Sequence, residues 1–225
     1  MRRTVAEHPV RLAKVRTVTE QVVQKLRSDA RDNRDRILEV ARDAFAAEGL
    51  DVPMREIARR AEVGVATLYR RFPTKEALLT AAFAERMAVC VTIAEEGLTA
   101  DDPWQAFCTV VDKLLAVHAA DRGFARAMVT QFPRAFDFAE GRDRALRALF
   151  ELMRRAKESG DLRSDVVLED LVLAMMANDG IQAESAALRL AASRRFAALM
   201  IQSFRAQPGP LPLPPAVRLP LLVRT

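Results

Sequence analysis

The most informative part of the sequence is residues 58–73, which read Ala-Arg-Arg-Ala-Glu-Val-Gly-Val-Ala-Thr-Leu-Tyr-Arg-Arg-Phe-Pro. The pattern predicts the end of one short amphipathic helix, a tight turn and a second short helix that stops at the Phe-Pro pair. The second helix is expected to bury Val65, Leu68 and Phe72. Its other side then presents a threonine, a tyrosine and two arginines, and the segment is interpreted as a helix-turn-helix unit.

The residues on the open side of the second helix suit the major groove of DNA. Arginine can make two hydrogen bonds to the edge of guanine, threonine can contact a thymine methyl group, and tyrosine can reach a phosphate. Positive charge lies beside this unit, since residues 1–31 contain eight Lys or Arg against three Asp or Glu. Residues 1–31 are interpreted as a flexible basic extension. A basic arm that follows phosphates and a start codon placed too far upstream are the alternatives.

The composition of the 225 residues favours an all-helical protein. Half of the residues are hydrophobic, only eight are glycine, and β-branched runs are short. The two cysteines, Cys90 and Cys108, fall on apolar helical faces and are expected to be free thiols. No run of about 18 apolar residues and no signal peptide is recognised, so a cytoplasmic protein without a membrane-spanning helix is expected.

Hydrophobic spacing and capping residues predict about nine helices. The first is expected to begin at Asn33 as its cap and to end at Gly49, and the second to begin at Pro53. The helices after the unit at 58–73 are expected at Lys75–Gly97, 103–120, Gly123–Phe132, Arg134–Lys157, Leu168–Gly180 and Ala183–Ala206. The predicted divisions are the extension at 1–31, a helix-turn-helix DNA-binding domain at 32–78, a helical ligand-binding and dimerisation domain at 79–206, and a flexible Pro-rich tail at 207–225.

One set of short motifs between Asn33 and Leu79 is specific. The set is Ile57-Ala58, Val63-Gly64-Val65, Thr67-Leu68-Tyr69-Arg70, Phe72 and Lys75-Glu76-Ala77-Leu78-Leu79. With these motifs the segment resembles the three-helix DNA-binding domain of the TetR family of bacterial transcriptional regulators. Three positions depart from that family: Glu62 replaces a turn glycine, Gly64 a common capping serine, and Arg71 a common histidine. A left-handed Glu62 is expected to cost about 1 kcal/mol.

The resemblance implies which residues contact DNA. Tyr69 and Lys75 correspond to family residues that meet phosphates, Lys75 near a helix N-terminus. The residues assigned to DNA binding are Arg34, Arg55, Val65, Ala66, Thr67, Tyr69, Arg70, Arg71 and Lys75.

The resemblance also implies an inducer pocket and a dimer interface in the C-terminal domain. Each pocket residue taken alone also fits a core position, and the apolar residues of the last two helices also fit a subunit core. The residues assigned to ligand binding are Trp104, Phe107, Met128, Phe132, Phe136, Met153 and Asn178. The residues assigned to the homodimer interface are Leu171, Met175, Leu188, Phe196 and Leu199.

The function predicted is a sequence-specific DNA-binding regulator, interpreted as a repressor that a small-molecule ligand releases from a palindromic operator. No nucleophile–base set, phosphate-binding glycine loop or metal-ligand spacing is recognised, so an enzyme, a cofactor and a metal are not expected. An activator and a DNA binder without a ligand remain alternatives.

Overall fold

The structure is a computed structural model that describes residues 32–130, 139–207 and 213–214. These residues form nine α-helices and no β-strand, which confirms the all-α prediction. The helices are α1 (32–48), α2 (Met54–Arg60), α3 (Val65–Arg71), α4 (Lys75–Gly97), α5 (Pro103–Ala120), α6 (Arg122–Thr130), α7 (Ala139–Glu158), α8 (Leu168–Asp179) and α9 (Ala186–Phe204).

The ends of α4 and α5 agree with the predicted ones because both helices begin at capping side chains. Thr74 Oγ1 accepts a hydrogen bond from the backbone amide of Ala77 at 3.1 Å. Asp102 Oδ1 accepts one from Gln105 at 3.0 Å. Each bond satisfies a backbone donor that the first turn of a helix leaves without a partner.

Two predicted helix starts are wrong. α9 begins at Ala186, three residues later than expected, because the Ser185 hydroxyl caps it by accepting a hydrogen bond from Leu188 N at 3.1 Å. Asn33 does not cap α1, since it lies inside that helix and its Oδ1 accepts a hydrogen bond from Arg36 Nη2 at 2.8 Å. For α9, local capping chemistry rather than the apolar pattern sets the helix start.

Several predicted segments lie outside the described residues. They are the extension at 1–31, the expected end of the sixth helix and start of the seventh within 131–138, and the tail at 207–225 apart from 207 and 213–214. The predicted boundary between residues 78 and 79 falls inside α4, which is continuous across it.

The first three helices enclose a small apolar core. Ile37 and Phe45 of α1, Ile57 of α2 and Leu68 of α3 are all fully buried. The chain can leave α1 sharply because Gly49 adopts a φ of 88°, a left-handed value that costs glycine little. This core fixes the position of α3, a helix of only seven residues that would not be stable alone.

The aromatic ring of Phe83 on α4 joins the three-helix unit to the rest of the chain. Its centroid lies 6.2 Å from that of Phe45 on α1 and 6.0 Å from that of Phe124 on α6. Gly123, beside Phe124, packs so closely on α1 that an added Cβ would lie 3.2 Å from the backbone nitrogen of Ala46. α6 therefore contacts both α1 and α4.

α5 lies at the centre of the remaining helices and contacts α4, α6, α7, α8 and α9. Arg155 of α7 holds the connection between α4 and α5, because its guanidinium donates to the carbonyl oxygens of Leu98 at 2.6 Å and Ala100 at 2.9 Å. An isolated bridge between Leu162 and Arg205 ties the start of the α7–α8 connection to the end of α9.

Among the described residues, one helix is long and apolar enough to cross a membrane. It is α4, whose most apolar window has a mean hydropathy of 1.6 and is half buried inside the molecule. A helix that packs against α5, α6 and α7 meets it as a core helix, so the observation is weak evidence for a membrane span.

Candidate functional site

α3 is exposed along most of its surface. Leu68 is its one buried residue, whereas Val65 is 44% exposed and Tyr69 47% exposed. The prediction that Val65 is buried was therefore wrong: it lies on the first turn of a short helix, beyond the reach of the core. Phe72, just after the helix, is buried as predicted.

The turn before α3 has the predicted departures from the usual helix-turn-helix pattern. Glu62 adopts a φ of 54°, in the left-handed region where a residue with a Cβ is strained. Gly64 is the N-cap of α3, with a φ of −62° and a ψ of 139°, and has no side chain to accept a hydrogen bond. The turn is held by the backbone, where Val63 N donates to Ala58 O at 3.0 Å.

The cations near α3 divide into two groups. On α2, Arg59 donates to both carboxylate oxygens of Glu56, and Arg60 donates to Glu56 and Glu48. Hydrogen bonds from Arg59 and then Arg60 lower the pKa of Glu56 to about 2, so these charges compensate one another.

The second group has no acidic partner among the residues that the structure describes; its members are Arg55, Arg70, Arg71 and Lys75. Arg70 Nη2 donates instead to Thr67 Oγ1 at 3.1 Å, which places the guanidinium beside the exposed face of α3. Arg34 lies 6.0 Å over the ring of Phe72. The surface around α3 therefore carries positive charge that is available to an anionic partner.

A cavity of about 80 Å³ lies among α4, α5, α6, α7 and α8. Its walls are hydrocarbon and sulfur with two exceptions, His118 and Arg142. The residues that line it are Met87, Cys90, Leu114, His118, Met128, Arg142, Ala145, Leu146, Leu149, Leu168, Leu171, Val172 and Met175.

Two titratable groups in the cavity wall are uncharged at neutral pH. His118 is 5% exposed, and burial lowers its pKa to about 4 against a smaller opposite effect of Asp121. Burial also raises the pKa of the Cys90 thiol to about 12. Cys90 and Cys108 are both free thiols, as predicted. The described residues contain no cluster of three His, Cys, Asp or Glu side chains that could hold a metal.

Comparison with known proteins identifies the N-terminal and C-terminal parts of the chain separately. Residues 37–82 match the family described as bacterial regulatory proteins, tetR family, and residues 102–206 match the SbtR-like transcriptional regulator C-terminal domain. The chain belongs to the TetR family. A TetR transcription regulatory protein from Mycobacterium vanbaalenii is 34% identical, over 80% of this chain and 99% of that one, with a TM-score of 0.47.

Other relatives are similar over the DNA-binding part or in fold. An HTH-type transcriptional regulator of Staphylococcus aureus is 43% identical over 54 residues, which are 24% of this chain and 29% of that protein. A tetR-family regulatory protein from Rhodococcus shares the fold, with a TM-score of 0.58 and 19% identity over 78% of this chain and 98% of that one. Membership of this family agrees with the prediction of a transcriptional regulator rather than an enzyme.

Of the five predicted ligand residues that the structure describes, one, Met128, lines the cavity. Trp104 and Phe107 instead stack with a centroid distance of 5.8 Å, and Phe107 contacts Phe204 of α9, so both belong to the α5–α9 core. Asn178 is buried and donates to Leu115 O at 3.0 Å.

The other predicted ligand residues lie away from this cavity or outside the description. Met153 is buried in the core without lining the cavity, and Phe132 and Phe136 lie outside the described residues. His118, which the sequence also offers as a residue that could orient a ligand, lines the cavity. Its signal in the sequence was a lone histidine on the apolar face of α5.

The predicted dimer residues also divide into two sets. Leu171 and Met175 line the cavity, so they face the subunit interior rather than a partner. Leu188 and Leu199 on α9 are 53% and 52% exposed, and Phe196 lines a groove between α8 and α9. The exposed pair thus remains available for a dimer contact.

Proposed function

We propose that this TetR-family protein is a repressor that binds a palindromic operator as a homodimer and is released by a small-molecule ligand. The observation that carries the DNA-binding part is the state of α3: one buried residue anchors it, and its open face carries Tyr69 and Arg70 beside cations without acidic partners. A short, rigidly seated helix of this kind fits the major groove of DNA.

Each exposed group near α3 has a proposed contact. Arg70 and Arg71 bond guanine edges or phosphates, and the bond from Arg70 to Thr67 holds the first of these guanidinium groups in place before DNA binds. Tyr69 donates to a phosphate, which positions α3 without reading sequence. The small Ala66 and the exposed Val65 allow close approach to thymine methyl groups.

Helix ends supply further phosphate contacts. Arg55 follows the first residue of α2 and Lys75 is the first residue of α4, so each adds its charge to the positive end of a helix. Arg34 on α1 is the weakest member of this set because it also lies 3.9 Å from Asp35.

Two copies of α3 are needed for a tight and specific complex. One unit offers about four phosphate contacts, and a dimer doubles them and reads two half-sites about 34 Å apart. We assign the dimer contact to the exposed apolar residues of α8 and α9, among them Leu173, Leu188 and Leu199. Such residues are more than half exposed in the single chain, and a second copy would cover them.

Ligand release requires a path from the cavity to α1, and α6 supplies one. Met128 of α6 lines the cavity, while Gly123 and Phe124 of the same helix pack on α1 and α4. The rings of His118, Phe124, Phe83 and Phe45 follow one another at centroid distances of 5.4, 6.0 and 6.2 Å. A ligand that moves α6 therefore moves α1, and with it the spacing of the two α3 helices.

The test of this function is operator binding by the double variant Arg70→Ala/Arg71→Ala. We expect at least a tenfold loss of affinity with little change in Tm, because Arg70 is exposed, Arg71 is only half-buried and neither belongs to the apolar core. The control is Arg144→Ala/Arg147→Ala, which removes the same charge from α7. Unchanged operator binding by the α3 variant, or an equal loss in the control, would show that α3 is not the recognition helix.

A further inference from the structure

The imidazole of His118 is the most unusual group in the cavity wall. Its Nδ1 is buried and has no hydrogen-bond partner among the residues that the structure describes. The ring is fixed by an edge contact with Phe124, at a centroid distance of 5.4 Å and an interplanar angle of 65°. A buried polar atom without a partner destabilises the empty state. The same imidazole lines the cavity, where a ligand can bond to it.

The second polar residue of the wall, Arg142, already has an anionic neighbour. Its Nε and Nη2 atoms donate to Asp143 Oδ1 at 3.2 and 3.1 Å, which balances its charge on α7 itself. A ligand carboxylate in the cavity would meet a neutral imidazole, hydrocarbon walls and a guanidinium whose charge Asp143 already balances. Its desolvation would then have little compensation, so an anionic ligand is disfavoured.

We propose that the cavity accepts an uncharged, largely hydrocarbon molecule with one hydroxyl group, and that this hydroxyl forms a hydrogen bond with the His118 imidazole. This assignment rests on the proposed function only in taking the cavity as the ligand site. Met, Leu, Val and Ala side chains supply the apolar contacts, and His118 supplies the single directional one.

The size of the cavity limits what enters without rearrangement. Its volume of about 80 Å³ is smaller than the roughly 150 Å³ that holds benzene in a protein interior. Met87, Met128 and Met175 line the cavity from three different helices, and their unbranched side chains can change rotamer at low cost. A ring-sized ligand therefore displaces methionines, including the one on α6.

The test compares three probes of similar size against the full-length protein without DNA at pH 7: phenol, toluene and benzoate. Affinities are taken from NMR titrations, with the imidazole ¹⁵N resonances as a local readout, since the sequence contains only two histidines. We expect phenol to bind at least tenfold more tightly than toluene, benzoate to bind more weakly than phenol by at least tenfold, and the His118 resonances to shift with phenol.

The matched variants separate the hydrogen bond from packing. His118→Leu is expected to bring phenol within threefold of toluene, whereas Met153→Leu, at a buried residue outside the cavity wall, keeps the preference for phenol. Equal binding of phenol and toluene by the wild-type protein overturns the proposal, and this result does not depend on whether His118→Leu folds. Tightest binding of benzoate by the wild-type protein also overturns it. A preference for phenol that survives in His118→Leu overturns it as well.

The same probes distinguish this proposal from the proposed function. Failure of all three probes to bind overturns the ligand assignment together with the cavity as a ligand site. If phenol binds with the expected selectivity but does not lower the affinity for the operator, the ligand assignment is supported and release by a ligand in this cavity is contradicted.

Discussion

Replacement of His118 by leucine is expected to remove the loss of stability that protonation of this histidine causes as the pH falls. In the folded chain burial lowers the pKa of His118 from 6.5 to about 4. The unfolded chain therefore binds a proton between these two values that the folded chain does not. The resulting destabilisation is absent above pH 6.5 and grows as the pH falls toward 4.

The magnitude follows from the pKa difference. At about 1.4 kcal/mol for each pH unit, the lowering from 6.5 to about 4 amounts to a loss of about 3 kcal/mol in the free energy of unfolding, of which about 2 kcal/mol is lost by pH 5. The side chain is 5% exposed, so solvent screening reduces this value little. The neutral leucine has no such proton linkage.

The assay is urea unfolding of the wild-type protein and of His118→Leu at several pH values between 7.5 and 4.5. Carboxylates that titrate in this range, and the second histidine, are common to both proteins and cancel in the difference. The stability of His118→Leu relative to wild type should rise by about 2 kcal/mol between pH 7.5 and pH 5. A difference that stays constant over this range would refute a buried neutral imidazole.

Three further substitutions test other parts of the structure. Glu62→Gly should raise the free energy of unfolding by about 0.5 kcal/mol, because relief of the left-handed φ exceeds the added chain entropy, and a lower urea midpoint would contradict this. Leu188→Glu/Leu199→Glu should sediment as a monomer. The control Phe150→Glu, at a residue of α7 that is 63% exposed, should remain a dimer. A dimer that persists in the Leu188→Glu/Leu199→Glu variant would exclude the α9 contact. Gly123→Ala should lower the free energy of unfolding by about 1–3 kcal/mol, because the added methyl group separates α6 from α1, and it should alter operator affinity. A wild-type free energy of unfolding together with a wild-type operator affinity would show that α6 does not couple the cavity to α1.

The DNA-binding half could be predicted in detail because its determinants are local in sequence. Thr74 begins α4 with a cap that its own side chain supplies, and the positive φ of Glu62 follows from the position of the turn. The burial of Val65 was predicted wrongly because helical spacing gives only the direction of a side chain. Whether the core extends to that point depends on α1 and α2.

The cavity could not be predicted because it depends on how five helices meet. An excess of apolar residues on α8 indicates only that more than one apolar surface contacts the helix. For Leu171 and Met175 that second surface is the cavity rather than a partner chain. Trp104 and Phe107, taken alone, each fitted a core position better than a pocket, and packing against Phe204, more than 90 residues away, places them in the core.

The most direct test of the account is selection of bound sequences from a random pool of double-stranded DNA by the purified full-length protein at near-physiological salt. We predict enrichment of an inverted repeat whose half-sites are centred about one helical turn apart, roughly 34 Å, since two α3 helices read the DNA together. Enrichment of no motif by the folded protein would contradict a sequence-specific regulator, and enrichment of a single unrepeated half-site would contradict a dimer.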